Sequence, residues 1–565
     1  MGTRVISHKA QNSGRPIAWE DRLLLSVSLI IPLTGLLLFF LYPLFLVARR
    51  SLIGSDGRIG IDNYFNILSM SNMKTVVSNS LIMSGATTVL CVLLGFAIAY
   101  ALQRTTLKAR WLIRGALLLP LLAPSLVQAL GLIFLFGRNG LISQQTGWDI
   151  QIYGFWGLLI SNSLYALPQA VMILEASLRH SDTRYYDAAQ MMGASHWRRF
   201  RDITLPNAKF GLISAAFVIF TVTITDFGNA AVIGGNYRVL ATEIYSQVVG
   251  QMNFNVGAVI GMLLLLPTLV AVYIERISSQ RQFGSHSESA IPVTPVFLAK
   301  RDIPLGALVY LSSLMVYAIV LTVVYASFVK LWPYRMDLTL ANYNITIAGG
   351  YAPLKTSFIV SLIAASIGVL ALFSLVLAQR RLPRRWAKPV YLLAILPVGV
   401  PGLVLGLAYV LSFNISGSIL GMLYGSALLI ALCNFYHFHS QGFLTMVTGM
   451  RGVPASLEET VTCMGGNALH GLRDAILPFM LTTLVAVFFF LFMRSMVTLS
   501  AVIFLISPQL SVAAVSVMRL EQAGFTTQAA AFSVCIMASV LVAMGLLKLV
   551  LHGISKTRYA VKAPS

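Results

Sequence analysis

Long apolar runs separated by short polar stretches make up almost the whole chain, and that pattern leaves few folds open. Twelve windows of about 20 apolar residues, the length an α-helix needs to cross a bilayer, can be read from it. They fall near 23–48, 75–102, 112–136, 154–178, 208–233 and 252–274, then near 304–328, 356–379, 388–411, 417–446, 480–506 and 526–551. Only 10% of the 565 residues are charged and 57% are hydrophobic, whereas soluble domains carry about 25% charged residues. So few charges cannot cover a chain of this length for water. The expected class is an all-α polytopic membrane protein. The first run is too long for a signal-peptide core and lacks a small-residue cleavage site, so it is expected to remain as a span.

The formal net charge is +21. An excess of this size can mark nucleic-acid binding, but that needs basic residues gathered on one face of a soluble domain. Here they lie in clusters between apolar runs, such as Arg104, Lys108, Arg110 and Arg114, or Arg380, Arg381, Arg384 and Arg385. With both termini placed in the cytoplasm, inner segments hold Lys and Arg over outer ones by about three to one, as the positive-inside rule demands. The expected location is a bacterial inner membrane, N-in and C-in, with no nucleic-acid partner. Trp111, Trp156, Trp332 and Trp386 fall near proposed span ends, where interfacial aromatics belong. The four cysteines show no CxxC spacing, so neither a disulfide framework nor a metal site is expected.

The runs also repeat. Leu119-Pro120 and Pro124 return as Leu396-Pro397 and Pro401, 277 residues later; Asp187, Gly193 and Pro206 return as Glu459, Gly465 and Pro478, 272 residues later. The chain therefore reads as two related six-span halves, 1–274 and 304–565. They are joined by a polar cytoplasmic linker, 275–303, marked by Ser278, Ser279, Ser285, Ser287, Ser289, Pro292 and Pro295.

The longest inner loop of each half has one design. The first runs Tyr185-Tyr186-Asp187-Ala188-Ala189 to Gly193 and on to Ile203-Thr204-Leu205-Pro206; the second runs Leu457-Glu458-Glu459 to Gly465 and on to Ile476-Leu477-Pro478. Good helix formers, a glycine that permits a sharp turn, a second short helix and a proline at the head of the next span predict a compact knob. At these residues the sequence resembles the permease subunits of type I ABC importers, whose signature is an acid-Ala-Ala, three residues, Gly, then about nine residues to Ile-x-Leu-Pro. The resemblance implies the type I permease fold and two docking loops for cytoplasmic ATPases. The first comprises Asp187, Ala188, Ala189, Gly193, Ile203, Leu205 and Pro206; the second comprises Glu458, Glu459, Gly465, Leu477 and Pro478. The second loop departs from the pattern, with Thr460-Val461 for the two alanines and Ala475 for the usual Ile.

Across the chain the sequence looks most like the fused double permeases that serve ferric iron, thiamine or 2-aminoethylphosphonate. The stretches Thr225–Tyr245 and Phe492–Leu505 lean toward the iron and aminoethylphosphonate members, the first toward aminoethylphosphonate. The resemblance implies two copies of an ABC ATPase subunit below and a soluble substrate-binding protein above. No GxxxxGK[ST] loop occurs in the chain, so ATP is expected on the partner, with no catalytic site and no cofactor here. Asp226 and Arg494 lie within spans. Ionisable residues at membrane depth face a bundle interior or water by default, so both are expected at the interface of the halves, paired or lining the pathway. Glu175 is expected to reach the headgroups, and His437 and His439 to pack. The prolines at 120, 124, 397 and 401 interrupt spans, as a hinge or pore lining would. The rival class is a 6+6 secondary transporter, which has no use for matched knobs.

Overall fold

The computed structural model describes residues 19–54, 57–148, 150–179, 181–284, 291, 293–415 and 417–560. It is helical nearly throughout, and among the described residues it has one small antiparallel hairpin (Val329–Leu331 with Arg335–Leu338). The first half contributes Trp19–Leu36, continued through a π turn into Tyr42–Ser51; then Ser71–Arg104, Leu126–Phe136, Phe155–Arg179, Leu205–Ile224 and Phe254–Gly284. The second contributes Ala299–Ser327, Ala352–Arg381, Gly402–Phe413, Ala427–Arg451, Leu477–Met496 and Thr526–Ala560. The order of elements repeats, and the fifth span of each half is 20 residues long, its start shifted by the same 272 positions as the knob motif.

Ten helices among the described residues are long and apolar enough to cross a membrane, eleven if one bent pair counts as a span. The twelve windows exceed that count for two reasons. The window at 388–411 is broken: Arg385–Gly399 and Gly402–Phe413 meet at 104°, because Pro397 and Pro401 remove donors and prevent a continuous ladder. The window at 417–446 becomes Ala427–Arg451, where Asn434, His437, His439 and Gln441 lower the mean hydropathy. The third span of the first half is interrupted likewise, by a 3₁₀ turn at Leu119–Leu122.

Three boundaries also moved. The window at 208–233 ends as helix at Ile224 and that at 480–506 ends at Met496. The expected linker shortens because the helix from Phe254 continues to Gly284 and the next begins at Ala299: Glu275, Arg276 and Gln280 are good helix formers, and a helix need not stop at the bilayer edge. Ser285, Ser287, Ser289 and Pro292 lie outside the described residues.

The halves are interlocked, since each lends its first span to the other. The first span packs on Ala352–Arg381, Phe39 stacks on Phe413 at 5.7 Å and Tyr436 at 6.2 Å, and the Tyr409 hydroxyl donates to the Phe39 carbonyl at 2.7 Å. Reciprocally, Ala299–Ser327 lies along the first half, with Tyr310 donating to Lys108 O at 2.7 Å and Tyr317 to Leu112 O at 2.8 Å. Trp332 is buried rather than interfacial, its indole donating to Phe134 O at 3.1 Å.

Close backbone approach at this clasp depends on Gly131. A Cβ there would stand 2.6 Å from Ile319 Cγ2 and 2.7 Å from the Ile319 carbonyl. Gly131→Val is therefore expected to lower stability by roughly 1–3 kcal/mol, seen as a lower melting temperature of the purified chain in detergent. Gly85→Ala, on a helix face with nothing within 4 Å, should leave it unchanged or slightly raised.

Candidate functional site

Both knobs fold to one plan. Thr183–Met191 is capped by Asp182, whose side chain accepts from Arg184 N at 3.0 Å, and the Arg184 guanidinium holds that carboxyl below the usual carboxylate range. Gly193 then takes φ +76, with Gly193 N bonded to Gln190 O and Ala194 N to Ala189 O, both at 2.9 Å. In the second knob, Ala455–Cys463 ends at Gly465 with φ +83; Gly465 N reaches Thr462 O at 3.0 Å and Gly466 N reaches Val461 O at 2.9 Å. These are paired Schellman caps, which glycine alone enters without strain. Ser195 and Asn467 then cap the second short helices, and π turns (Phe200–Thr204 and Gly471–Ile476) run directly into spans with proline in the first turn. No flexible joint separates a knob from its span.

Each knob is gripped by an arginine at the end of its half's second span. Arg104 donates to Leu178 O at 3.2 Å and lies over the Tyr186 ring at 5.3 Å. Arg380, 276 positions later, donates to Met450 O at 2.9 Å and Val453 O at 3.1 Å and pairs with Glu458 at 2.8 Å. Tyr186 and Glu458 stand 272 residues apart, so a cation–π contact in one half takes the place of an ion pair in the other. Glu458 is thereby turned inward, leaving Glu459 exposed, as Asp187 is. Sequence reading missed these arginines as fasteners because they looked like part of the positive-inside clusters; their near-repeat spacing was the available signal.

Between the halves lies a cavity of about 160 Å³. Its lining comes from the fourth spans (Tyr165, Gln169; His437, Gln441), from the ends of the fifth spans, and from the proline-broken turn Val398–Pro401. Asp226 and Arg494 both line it. They are brought to one chamber but not into contact: no ion pair within 4 Å joins either to any partner among the described residues. Asp226 accepts from Asn229 N at 3.0 Å, and the Arg494 guanidinium lies 4.7 Å from the Phe438 ring centre. The broken turn lines the chamber, which favours pore lining for Pro401. His439 packs, bonded to Ala394 O at 3.0 Å, whereas His437 faces the chamber. Glu175 accepts from Gln103 at 2.9 Å and lies 3.6 Å from Arg114, so it is held within the bundle.

Residues 91–284 match the family of binding-protein-dependent transport system inner membrane components. The fold is that of a type I ABC importer permease. Over 480 residues the chain is 26% identical to the ferric transport system permease protein FbpB of Actinobacillus pleuropneumoniae, covering 81% of this chain and 68% of that one. It is 27% identical over 223 residues to the spermidine/putrescine transport system permease protein PotC of Escherichia coli, which is 39% of this chain but 81% of the relative. With the molybdenum transport system permease protein ModB of Mycobacterium bovis it shares 27% over 235 residues, 40% of this chain and 87% of the relative. A whole relative of the shorter kind thus corresponds in size to one half of this permease fold.

The grip on the second knob is open to test. Arg380→Ala removes the charged donor from two carbonyls and Glu458, each such bond being worth about 1.5–3 kcal/mol. Amide exchange across Ala455–Cys463 is expected to accelerate at least tenfold, with exchange across Thr183–Met191 unaltered.

Proposed function

We propose that this chain is the translocation subunit of an ATP-driven importer, in which the two knobs receive force from two cytoplasmic ABC ATPase subunits and a soluble binding protein delivers the solute from outside. The observation that carries this reading is the pair of rigid knobs. Each presents large apolar side chains that no described residue covers, with Met191 89%, Met192 86% and Met464 83% exposed. Flexible methionines on a protruding helix suit burial in a partner's cleft. Because each knob continues through a π turn into a fifth span, a partner that prefers one spacing of the knobs biases the spans that line the chamber. A partner shifts such an equilibrium only by its differential affinity for the two states. The Lys and Arg bias supports both termini and both knobs on the cytoplasmic side. The proposed division is 1–274 and 304–565 with the joining segment 275–303.

For the cargo, the name of the ferric transport relative, matched over 81% of this chain, supports ferric iron, while the resemblance at Thr225–Tyr245 supports 2-aminoethylphosphonate. The chamber supports the second, because it offers the Arg494 guanidinium to an oxyanion and the Asp226 carboxylate to an ammonium group.

Rebuilding both knob turns tests the coupling. A side chain at φ near +80 costs roughly 1–2 kcal/mol, and neither glycine has a neighbour within 4 Å, so Gly193→Val with Gly465→Val should leave the membrane bundle folded while distorting both knobs. The double variant is expected to lose the co-purifying ATPase and at least nine-tenths of ATP-dependent uptake. Uptake at the normal rate, or accumulation that survives ATP depletion, would sink the reading.

A further inference from the structure

The repeat exposes where the chamber departs from symmetry. Positions 272 apart pair Gln169 with Gln441, Tyr165 with His437, Val222 with Arg494 and Asp226 with Thr498, and all eight line the same cavity. The glutamines are identical, but the two charges are each unique to one half. Where the first half places Asp226, the second places Thr498, whose hydroxyl is engaged by the Arg494 carbonyl at 2.6 Å. Where the second half places Arg494, the first places valine. The chamber therefore receives an acid from the first half and a base from the second.

Two opposite charges in a bundle interior are expected to pair, since an unpaired charge there is costly. These do not: Arg494 Nε is buried with no hydrogen-bond partner, and neither residue forms an ion pair with any described residue. Both instead line one space of about 160 Å³, enough for several waters or one small solute. Resting on the importer reading above, we propose that this chamber is a transit site for a small zwitterionic solute, its oxyanion held by Arg494 and its ammonium group by Asp226. Such a solute satisfies both charges at once, whereas an anion or a cation alone leaves the other charge unanswered. The guanidinium offers a planar fork of donors to a phosphonate, phosphate or carboxylate, and the carboxylate accepts from an amine.

The symmetric glutamines sit where this chamber meets a second one. Gln169, Gln441 and Arg494 also line a second, largely apolar cavity of about 440 Å³, walled by Leu118, Leu122 and Phe490 among others. At that junction the Arg494 guanidinium stands beside two neutral amides, and the remaining walls of the second cavity are largely apolar.

The test is saturation-transfer NMR on the full-length chain in nanodiscs. Three probes are compared: 2-aminoethylphosphonate, with both charges; ethylphosphonate, with the anion only; and ethylamine, with the cation only. The two-charge probe is expected to bind at least tenfold more tightly than either single-charge probe. Arg494→Met and Asp226→Asn should each remove that advantage, and Arg494→Lys should keep most of it, which separates a lost charge from a misfolded chain. Equal binding of ethylphosphonate and 2-aminoethylphosphonate, indifference to both substitutions, or no binding of any probe would overturn the proposal. Co-purification of the ATPase with the same wild-type chain keeps the outcomes apart: ATPase bound without probe binding defeats the transit site alone, and no ATPase bound defeats the importer reading itself.

Discussion

Backbone groups freed by a break in a membrane helix must find partners or water, because hydrocarbon offers none. This chain breaks its helices repeatedly, and the breaks converge. The turn at Val398–Pro401, the end of one fifth span at Thr225–Gly228 and the end of the other at Val497–Ser500 all reach the one chamber between the halves. A polar cavity tolerates the interruptions, and the interruptions in turn bring polar side chains and backbone to the cavity. Buried amide bonds fix the arrangement: Asn162 with Asn229 at 3.0 Å, and Asn434, at the position repeating Asn162, with Ser495 at 2.8 Å.

The same fifth spans carry the knobs at their other ends. Their continuity through π turns makes knob and chamber parts of one lever, so force applied at one end has few ways to dissipate before the other. The mutual exchange of first spans has the complementary effect. Tyr409 on the Phe39 carbonyl and Tyr317 on the Leu112 carbonyl tie each half to an element of the other. The repeated order of elements supplies two similar arms, and the differences between them put Asp226 in one and Arg494 in the other.

Much of this was legible in the residues. The apolar windows gave the class, since runs of that length admit little besides membrane helices. Gly193, Gly465, Pro206 and Pro478 gave the knobs in detail, because a left-handed turn and a proline-headed span are local requirements with local signatures. The window at 417–446 was harder to bound: the helix runs Ala427–Arg451, and its buried polar residues Asn434 and His439 make hydropathy understate a helix that packing stabilises. Glu175 and Trp332 were misplaced for a related reason, as both find partners far away in the chain, at Arg114 and Phe134. Glu458 read as a docking acid from its place in the motif, and only the fold turned it toward Arg380.

By itself, then, the sequence determined the membrane class, the twofold repeat and the knobs, all of which follow from spacing along a helix or within a turn. Which half's first span crosses to the other, which arginines grip the knobs, and that Asp226 and Arg494 share a chamber without touching were decided by tertiary structure. Those facts depend on how helices hundreds of residues apart pack against one another, and periodicity within a single helix carries no record of its neighbours.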